Sequence, residues 1–495
     1  MASIVVRKIT PEQTPLKFEG PPAGERPLYL YLDKERRFII VSDNILTLFR
    51  HPEVDTPLEI SPEGISFLLQ SGVIPTPRTI FKNLFVLNIG DFAEVKAGKK
   101  GLEIFFGHEF LYPASRRNPE VIPDEKRLLE LLAQAVLTRL QPGAPVYLFQ
   151  SLGKDSNTIA LALAEAGFKE VTCLTLSTGD RKDESEIAAK IARKLGFPHR
   201  KLPVPEKISK RHKDEIIFYF ENIPLPCVDG VSLAYPLYAT QLDFRGTNII
   251  DGSGNDIYMG HVPRKIEYQR QKIYPHFLFL RLFAEKLPTG NAFQKLARTR
   301  TEMVGALGFS YRDARRIYPL AEPVFPFWQA EDRKRRGWDY FDLKADVWGP
   351  NFEFDLVMRK VRNFAAVYKA HLIMPWTDAE VAAYVASFPE KYLYDRKNFK
   401  NKLFLRQILK KYLGIDSDAL GKYSYGFNAY LFLQKMSPEA EEEILKCSLW
   451  NPKGVKKVLD RLSILARQGN RMARKLWVRL YLLSAWYNYN RYIKR

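Results

Sequence analysis

The chain has 495 residues and a formal charge of +20 at neutral pH, with 46% hydrophobic and 27% charged residues. Those proportions exclude a disordered or fibrous chain, and the length fits about two to four domains with a sizeable core. No apolar run reaches the ~18 residues of a membrane span, MASIVVRKITPEQ has no signal-peptide core, and Cys173, Cys227 and Cys447 make no disulfide framework, so a cytoplasmic protein is expected.

Short strands are expected at 27–31 (PLYLY), 37–41 (RFIIV), 81–87 (FKNLFVL) and 92–98 (FAEVKAG). They suggest a small β-rich unit ending near the Pro-rich, charged segment 112–125. The period then changes. Residues 125–140 place Leu128, Leu131, Leu132 and Val136 on one helical face, and PVYLF (145–149) is a short apolar run typical of a strand buried on both sides. SLGKDS (151–156) reads as a turn and NTIALALAEAG (157–167) as a helix closed by Gly167. A second buried strand over 170–177 precedes a helix over 183–196, and a third strand over 247–254 ends in glycines. Strands alternating with helices predict an α/β fold with a parallel sheet. Residues 262–495 read mostly as helices. The segment 451–495 carries twelve Lys/Arg against the single acid Asp460, interleaved with Trp and Tyr. That composition fits a terminal helix docked by its apolar face, or a nucleic-acid or lipid patch.

Two turns carry chemistry. In SLGKDS, Gly153 lets the backbone approach a phosphate, Ser151 and Ser156 offer hydroxyl donors, and Lys154 supplies a point charge. Asp155 repels a bare phosphate, so an acid there fits a Mg²⁺ ion standing between carboxylate and nucleotide. The pattern is not G-x-x-x-x-G-K-[ST], which excludes a Walker-type loop. DGSGNDIYMGH (251–261) follows the third strand and combines Gly252, Gly254 and Gly260 with Asp256. The C-terminal ends of parallel strands share one crevice, so Asp155 and Asp256 are expected to face one Mg²⁺ beside a nucleotide. Cys227 reads as a buried structural thiol, and the seven histidines lack zinc-ligand spacing.

These residues resemble the synthetase domain of asparagine synthetase and its relatives, the N-type ATP pyrophosphatase (PP-loop) ligases, including β-lactam-forming members. Ser151, Gly153, Asp155 and Ser156 match S-G-G-x-D-S, with Leu152 at the first glycine; DESEIAAKIARKLGFPHRKL (183–202) is similar to the family's D-E-S helix and following strand. Gly252, Gly254, Asp256 and Gly260 match G-E-G-x-D-E-x-x-x-G-Y, MPWTDAEV (374–381) resembles the P-F-L-D segment, and KLFLR (402–406) resembles K-x-x-L-R. VDGVSLAYPLYATQ (228–241) is similar to a stretch of the β-lactam formers through Asp229, Gly230 and Ser232.

The resemblance implies a parallel-sheet PP-loop (adenine nucleotide α-hydrolase-like) synthetase domain over 120–495 with a helical C-terminal half. Residues 1–115 would form a truncated glutaminase-like β domain. It further implies an ATP-dependent ligase that adenylates a small-molecule or peptide carboxylate, releases pyrophosphate, and condenses the acyl group with ammonia or an amine. By position, Asp155 and Asp256 would hold Mg²⁺, Ser151, Gly153, Ser156, Gly252 and Gly254 would cradle pyrophosphate, and Leu176 and Ser177 would meet adenosine. Asp229 and Ser232 would meet substrate, with Lys154, Ser253 and Lys422 in catalytic positions.

Departures accompany the matches. Ala2 stands where glutamine-hydrolysing members place the nucleophilic cysteine, so glutamine hydrolysis by this chain is not expected. Ser253 replaces the Glu or Tyr of relatives, Ile257 replaces the following acid, and Lys422 and Ser424 stand at the Arg and Lys of R-x-K-x-G-F. His371 and Ile373 stand where Glu and Arg are usual. Changes of this kind are expected around the acceptor, pointing to altered acyl or amine specificity. A nucleic-acid-modifying PP-loop enzyme and a non-catalytic scaffold are the alternative functions. A homodimer or a separate amine-supplying subunit is compatible with the chain.

Overall fold

The computed structural model describes residues 4–8, 15–35, 37–99, 101–177, 184–417, 419 and 427–493. Among the described residues seven strands come first: β1 (Ile4–Lys8), β2 (Leu16–Glu19), β3 (Leu28–Asp33), β4 (Phe38–Ser42), β5 (Leu84–Leu87), β6 (Asp91–Gly98) and β7 (Gly101–His108). They form two antiparallel sheets, ordered β1-β4-β3-β5 and β2-β6-β7. Alternation along the strands puts Leu30, Leu32, Ile39 and Val41 from one sheet against Ala93, Val95 and Leu102 from the other, which closes a sandwich core. The opposite face of the four-stranded sheet (Tyr29, Tyr31, Phe38, Ile40) belongs to a larger apolar cluster with Phe67, Trp328, Trp477 and Trp486. That cluster joins side chains from both sides of residue 115.

One polar tie crosses the same interface. His108, ending β7, bonds Asp91 through Nδ1 (2.9 Å) and Asp346 through Nε2 (2.8 Å), and Arg335 holds the other Asp346 oxygen at 2.6 Å. Burial disfavours the imidazolium, but the two carboxylates override it and raise the His108 pKa to about 10 from 6.5. The folded-state value lies above the unfolded one, so this stabilisation is complete below about pH 6.5 and disappears as pH rises toward 10. His108→Gln is therefore expected to cost about 3 kcal/mol near pH 6 and much less near pH 10, measured as the pH dependence of the Tm difference from wild type.

After the helix Glu125–Leu137, capped by Asp124, come β8 (Val146–Phe149), β9 (Thr172–Ser177), β10 (His199–Pro203), β11 (Asn248–Ile250) and β12 (His371–Ile373). Their order is β10-β9-β8-β11-β12 and every pairing is parallel. From β8 the chain adds strands outward in one direction (β9, β10) and then in the other (β11, β12). The sheet thus has its topological switch point between β8 and β11, where crevices open at the strands' C-terminal ends. The two Gly-containing turns follow these two strands.

Two expectations need correction here. The helix placed at 157–167 begins at Lys154 and runs to Glu165, so Asp155 and Ser156 belong to its first turn. The strand placed at 247–254 ends at Ile250, because the Asp251 carboxylate captures the Ser253 backbone N–H (2.9 Å) and hydroxyl (2.5 Å) and folds the chain into a turn. The basic C-terminal segment forms the helices Pro452–Arg467 and Arg471–Tyr489, the second buried through most of its length from Leu476 to Tyr487. Among the described residues no helix is long and apolar enough to cross a membrane.

Candidate active site

The turn after β8 is clamped by Asn157, whose amide donates to the Ser151 (2.9 Å) and Gly153 (2.8 Å) carbonyls and accepts from Gln150 Nε2 (3.0 Å). Ser151 Oγ accepts from the Gly153 N–H (2.9 Å), and Ser156 Oγ accepts from the Ser151 N–H (3.2 Å). A Cβ on Gly153 would stand 2.8 Å from Ser151 Oγ and would have to displace the hydroxyl that accepts from the Gly153 N–H. Lys154, Asp155 and Ser156 occupy the N-terminal turn, where backbone N–H groups and the helix dipole favour an anion.

The second turn lies directly against the first. A Cβ on Gly252 would meet the Ser156 nitrogen at 3.0 Å, and Gly254, with φ +111°, leaves no room beside Thr377. Asp256 opens a short helix, Asp256–Met259. Between the two acids stands the ammonium of Lys402, 2.8 and 2.9 Å from the Asp155 oxygens and 2.9 Å from Asp256 Oδ1. Asn255 completes the knot, accepting from Lys402 (2.7 Å) and donating to Asp155 (2.7 Å). Lys402 has left-handed backbone angles (φ 54°, ψ 47°), a conformation costly for a side-chain-bearing residue and held here by three polar partners. Trp376 supports the floor, its indole N–H donating to the Asp155 carbonyl (3.3 Å).

Charge dominates the site. Burial alone would raise the Asp256 pKa, but Lys402 and then His261, at 3.0 Å, hold it far below the usual carboxylate range. Burial likewise works against the Lys402 ammonium, and Asp155 and Asp256 override it upward. Glu353, from a π-helical stretch (Trp348–Met358), accepts from the Gly254 N–H (3.0 Å) and the Trp348 indole (3.1 Å). Burial and then the nearby Asp256 charge lift its pKa to about 7. Asp256 Oδ1 makes its ion pair without an aligned hydrogen bond, a buried acceptor with coordination to spare. That spare acceptor on Asp256, beside the Asp155 carboxylate, suits a divalent cation such as Mg²⁺.

The remaining sequence-selected residues divide. Leu176 and Ser177 end β9, next to β8. Asp229 caps the turn Gly230–Leu233 through the Val231 N–H (3.0 Å) and pairs with Lys360 (2.8 Å); Ser232 is buried beside Tyr219 and Cys227. The Ser253 hydroxyl is engaged by Asp251. Burial pushes the Cys227 thiol up to about 11, and its Sγ lies 3.7 Å from the Leu356 carbonyl, which suits a structural thiol. Lys422 and Ser424 lie outside the described residues. His371 does not border this site: it starts β12, at the opposite end of the sheet, and bonds the Arg139 carbonyl (2.8 Å). Ile373 and Ile257 are core residues, the latter packed on Gly349.

Sequence reasoning missed Lys402, Asn255 and Glu353. Lys402 and Asn255 sat inside quoted motifs without a role, whereas Glu353 reaches the second turn from a segment with no local signal.

The stretch that builds the sheet, both turns and the Lys402 helix matches the family model for asparagine synthase over residues 127–487, and the chain belongs to that family. The family is one of ATP-dependent amide ligases. A Methanocaldococcus jannaschii protein named as a glutamine-hydrolyzing asparagine synthetase is 24% identical over 277 residues, which cover 54% of this chain and 50% of that protein. The chain thus spans about half the length of this curated relative.

Proposed function

We propose that the protein is an AMP-forming ligase that activates a carboxylate with ATP and transfers the acyl group to ammonia or an amine. The observation that carries this reading is the meeting of Asp155 and Asp256, from turns a hundred residues apart, at the switch point of the parallel sheet. Ser151, Gly153, Ser156, Gly252 and Gly254 form the cradle for the β- and γ-phosphates, and Leu176 and Ser177 border the adenosine. Lys154 approaches the same phosphates from the helix start. Mg²⁺, held by Asp155 and Asp256, would neutralise charge on the departing pyrophosphate.

A carboxylate oxygen of the substrate attacks the α-phosphorus and pyrophosphate leaves. The amine then attacks the acyl carbon, the acyl C–O bond to AMP breaks, and the amine loses a proton. Lys402 keeps the two carboxylates apart and neutralised until nucleotide arrives, then donates to the incoming phosphate oxygens. Ser253 positions Asp251 at the turn. Asp229 and Ser232 lie on the acceptor side, where Lys360 adds a cation, and Lys422 supplies charge to the condensation. The first 172 residues contain no cysteine, so the N-terminal strands, a degenerate glutaminase-like unit over 1–115 in this reading, carry no thiol for glutamine hydrolysis.

The test is pyrophosphate release from Mg-ATP with ammonium present, screened over aspartate, uronic acids, amino-sugar acids and peptides. One carboxylate class is expected to stimulate release and to yield AMP in equal amount. ATP binding with no release and no ATP–pyrophosphate exchange across the panel would instead mark a scaffold and overturn the ligase reading.

A further inference from the structure

Charge and apolar exposure coincide on one helical unit away from the sheet. Residues 265–296 include four short helical elements, Lys265–Ile273, Tyr274–Leu280, Arg281–Lys286 and Ala292–Leu296, each packed on a neighbour in the set. Ile266, Arg270 and Ile273 follow an i, i+4, i+7 spacing, and Phe279, Leu282, Phe283 and Lys286 follow i, i+3, i+4, i+7. In an ordinary surface helix such a stripe faces the core. Here it faces solvent: Leu282 is 74% exposed, Phe279 67% and Phe283 59%, and Phe293 and Leu296 extend the patch. The inward side does the anchoring, through buried Ala284 and through Arg281, which pairs with Glu285 (2.5 Å) and Glu302 (2.9 Å).

The exposed charges around this stripe have one sign. Arg264, Lys265, Arg270, Lys272, Lys286 and Lys295 are exposed, whereas the acids of the segment, Glu267 and Glu285, are drawn inward by Lys344 and Arg281. We propose that this face docks on an anionic bilayer surface, its apolar side chains entering the headgroup–acyl boundary while its cations meet lipid phosphates. Outward-facing Leu, Ile and Phe ringed by Lys and Arg are the composition of an in-plane interfacial segment. A nucleic acid offers nothing to Ile266, Ile273 or Leu282, and a second copy of the same face would set cations against cations.

Co-sedimentation of the full chain with vesicles of phosphatidylcholine alone, or mixed with phosphatidylglycerol, tests the proposal without any nucleotide. The protein is expected to pellet with the anionic vesicles only, and less at high salt. Leu282→Glu/Phe283→Glu and Lys265→Glu/Lys272→Glu should each lower partitioning by about tenfold or more. Ile464→Glu, at an exposed apolar site on another helix, should not change it. Unchanged circular dichroism spectra establish that the patch variants fold. No preference for anionic vesicles, or equal loss in the Ile464 variant, overturns the proposal. So does a concentration-dependent dimer in sedimentation velocity that Leu282→Glu breaks, or salt-sensitive RNA retention lost on reversing Lys265 and Lys272.

Discussion

Lys402→Met is expected to lower the thermal midpoint by several degrees at neutral pH, with millimolar Mg²⁺ recovering much of the loss. Wild-type protein without nucleotide should respond to Mg²⁺ far less. The ammonium is buried and within 2.9 Å of both Asp155 and Asp256, so its removal leaves the two carboxylates without their common counter-charge, Asp155 keeping Asn255 and Asp256 keeping His261. Breaking a buried ion pair from one side costs about 3–5 kcal/mol, because the abandoned charge stays buried. Methionine keeps the length of the stem, so packing changes little. Asp256 is held below its ordinary pKa, so its contribution is present above the unfolded value of 3.8 and is lost as pH falls through the depressed one. The variant lacks that contribution, and its deficit should be widest at neutral pH and narrow below about pH 4 as the carboxylates protonate. Differential scanning fluorimetry across pH, with and without Mg²⁺, reads both effects. A deficit independent of pH and untouched by Mg²⁺ would show that Lys402 matters for packing alone.

Periodicity made the parallel sheet legible, because buried strands and amphipathic helices alternate with clean breaks at Gly167 and Gly196. Chemistry at the ends of elements was harder to place. Reading SLGKDS as a turn starts the helix after β8 at Asn157, yet the cap is Gly153, with no side chain to signal it, and Asn157 reaches back to hold the loop instead. β11 is shorter than the expected 247–254 because the apolar run stops at Ile250 and Asp251 bonds Ser253 to turn the chain. β12 has three residues, too few for any period, so His371 could not be placed at the far end of the sheet from sequence. The pairing of Asp155 with Asp256 followed from topology, since turns after adjacent parallel strands share a crevice. Lys402 did not, because its role depends on three segments meeting at one atom and on a left-handed backbone that lysine seldom adopts.

Asp155→Asn and Asp256→Asn should each cut pyrophosphate release by about a thousandfold or more, roughly 4 kcal/mol of barrier. Both keep the side-chain volume and an amide oxygen that can still accept from Lys402, so each chain should fold. Their electrostatic consequences differ, which makes the pair informative. Asp256 is the like charge that raises the Glu353 pKa, whose value of about 7 reflects burial first and Asp256 second. Asp256→Asn should therefore move the Glu353 titration downward, though not to the ordinary value, because burial persists. Asp155→Asn should leave it near 7. Carboxyl-carbon NMR, assigned with Glu353→Gln, distinguishes the two. The double variant removes both acidic partners of a buried ammonium, and its stability loss should exceed the sum of the single losses, since either acid alone still neutralises Lys402. Full turnover in either single variant would show that these carboxylates do not serve the nucleotide. The Glu353 titration and the double-variant stability would then still report whether they share one electrostatic site.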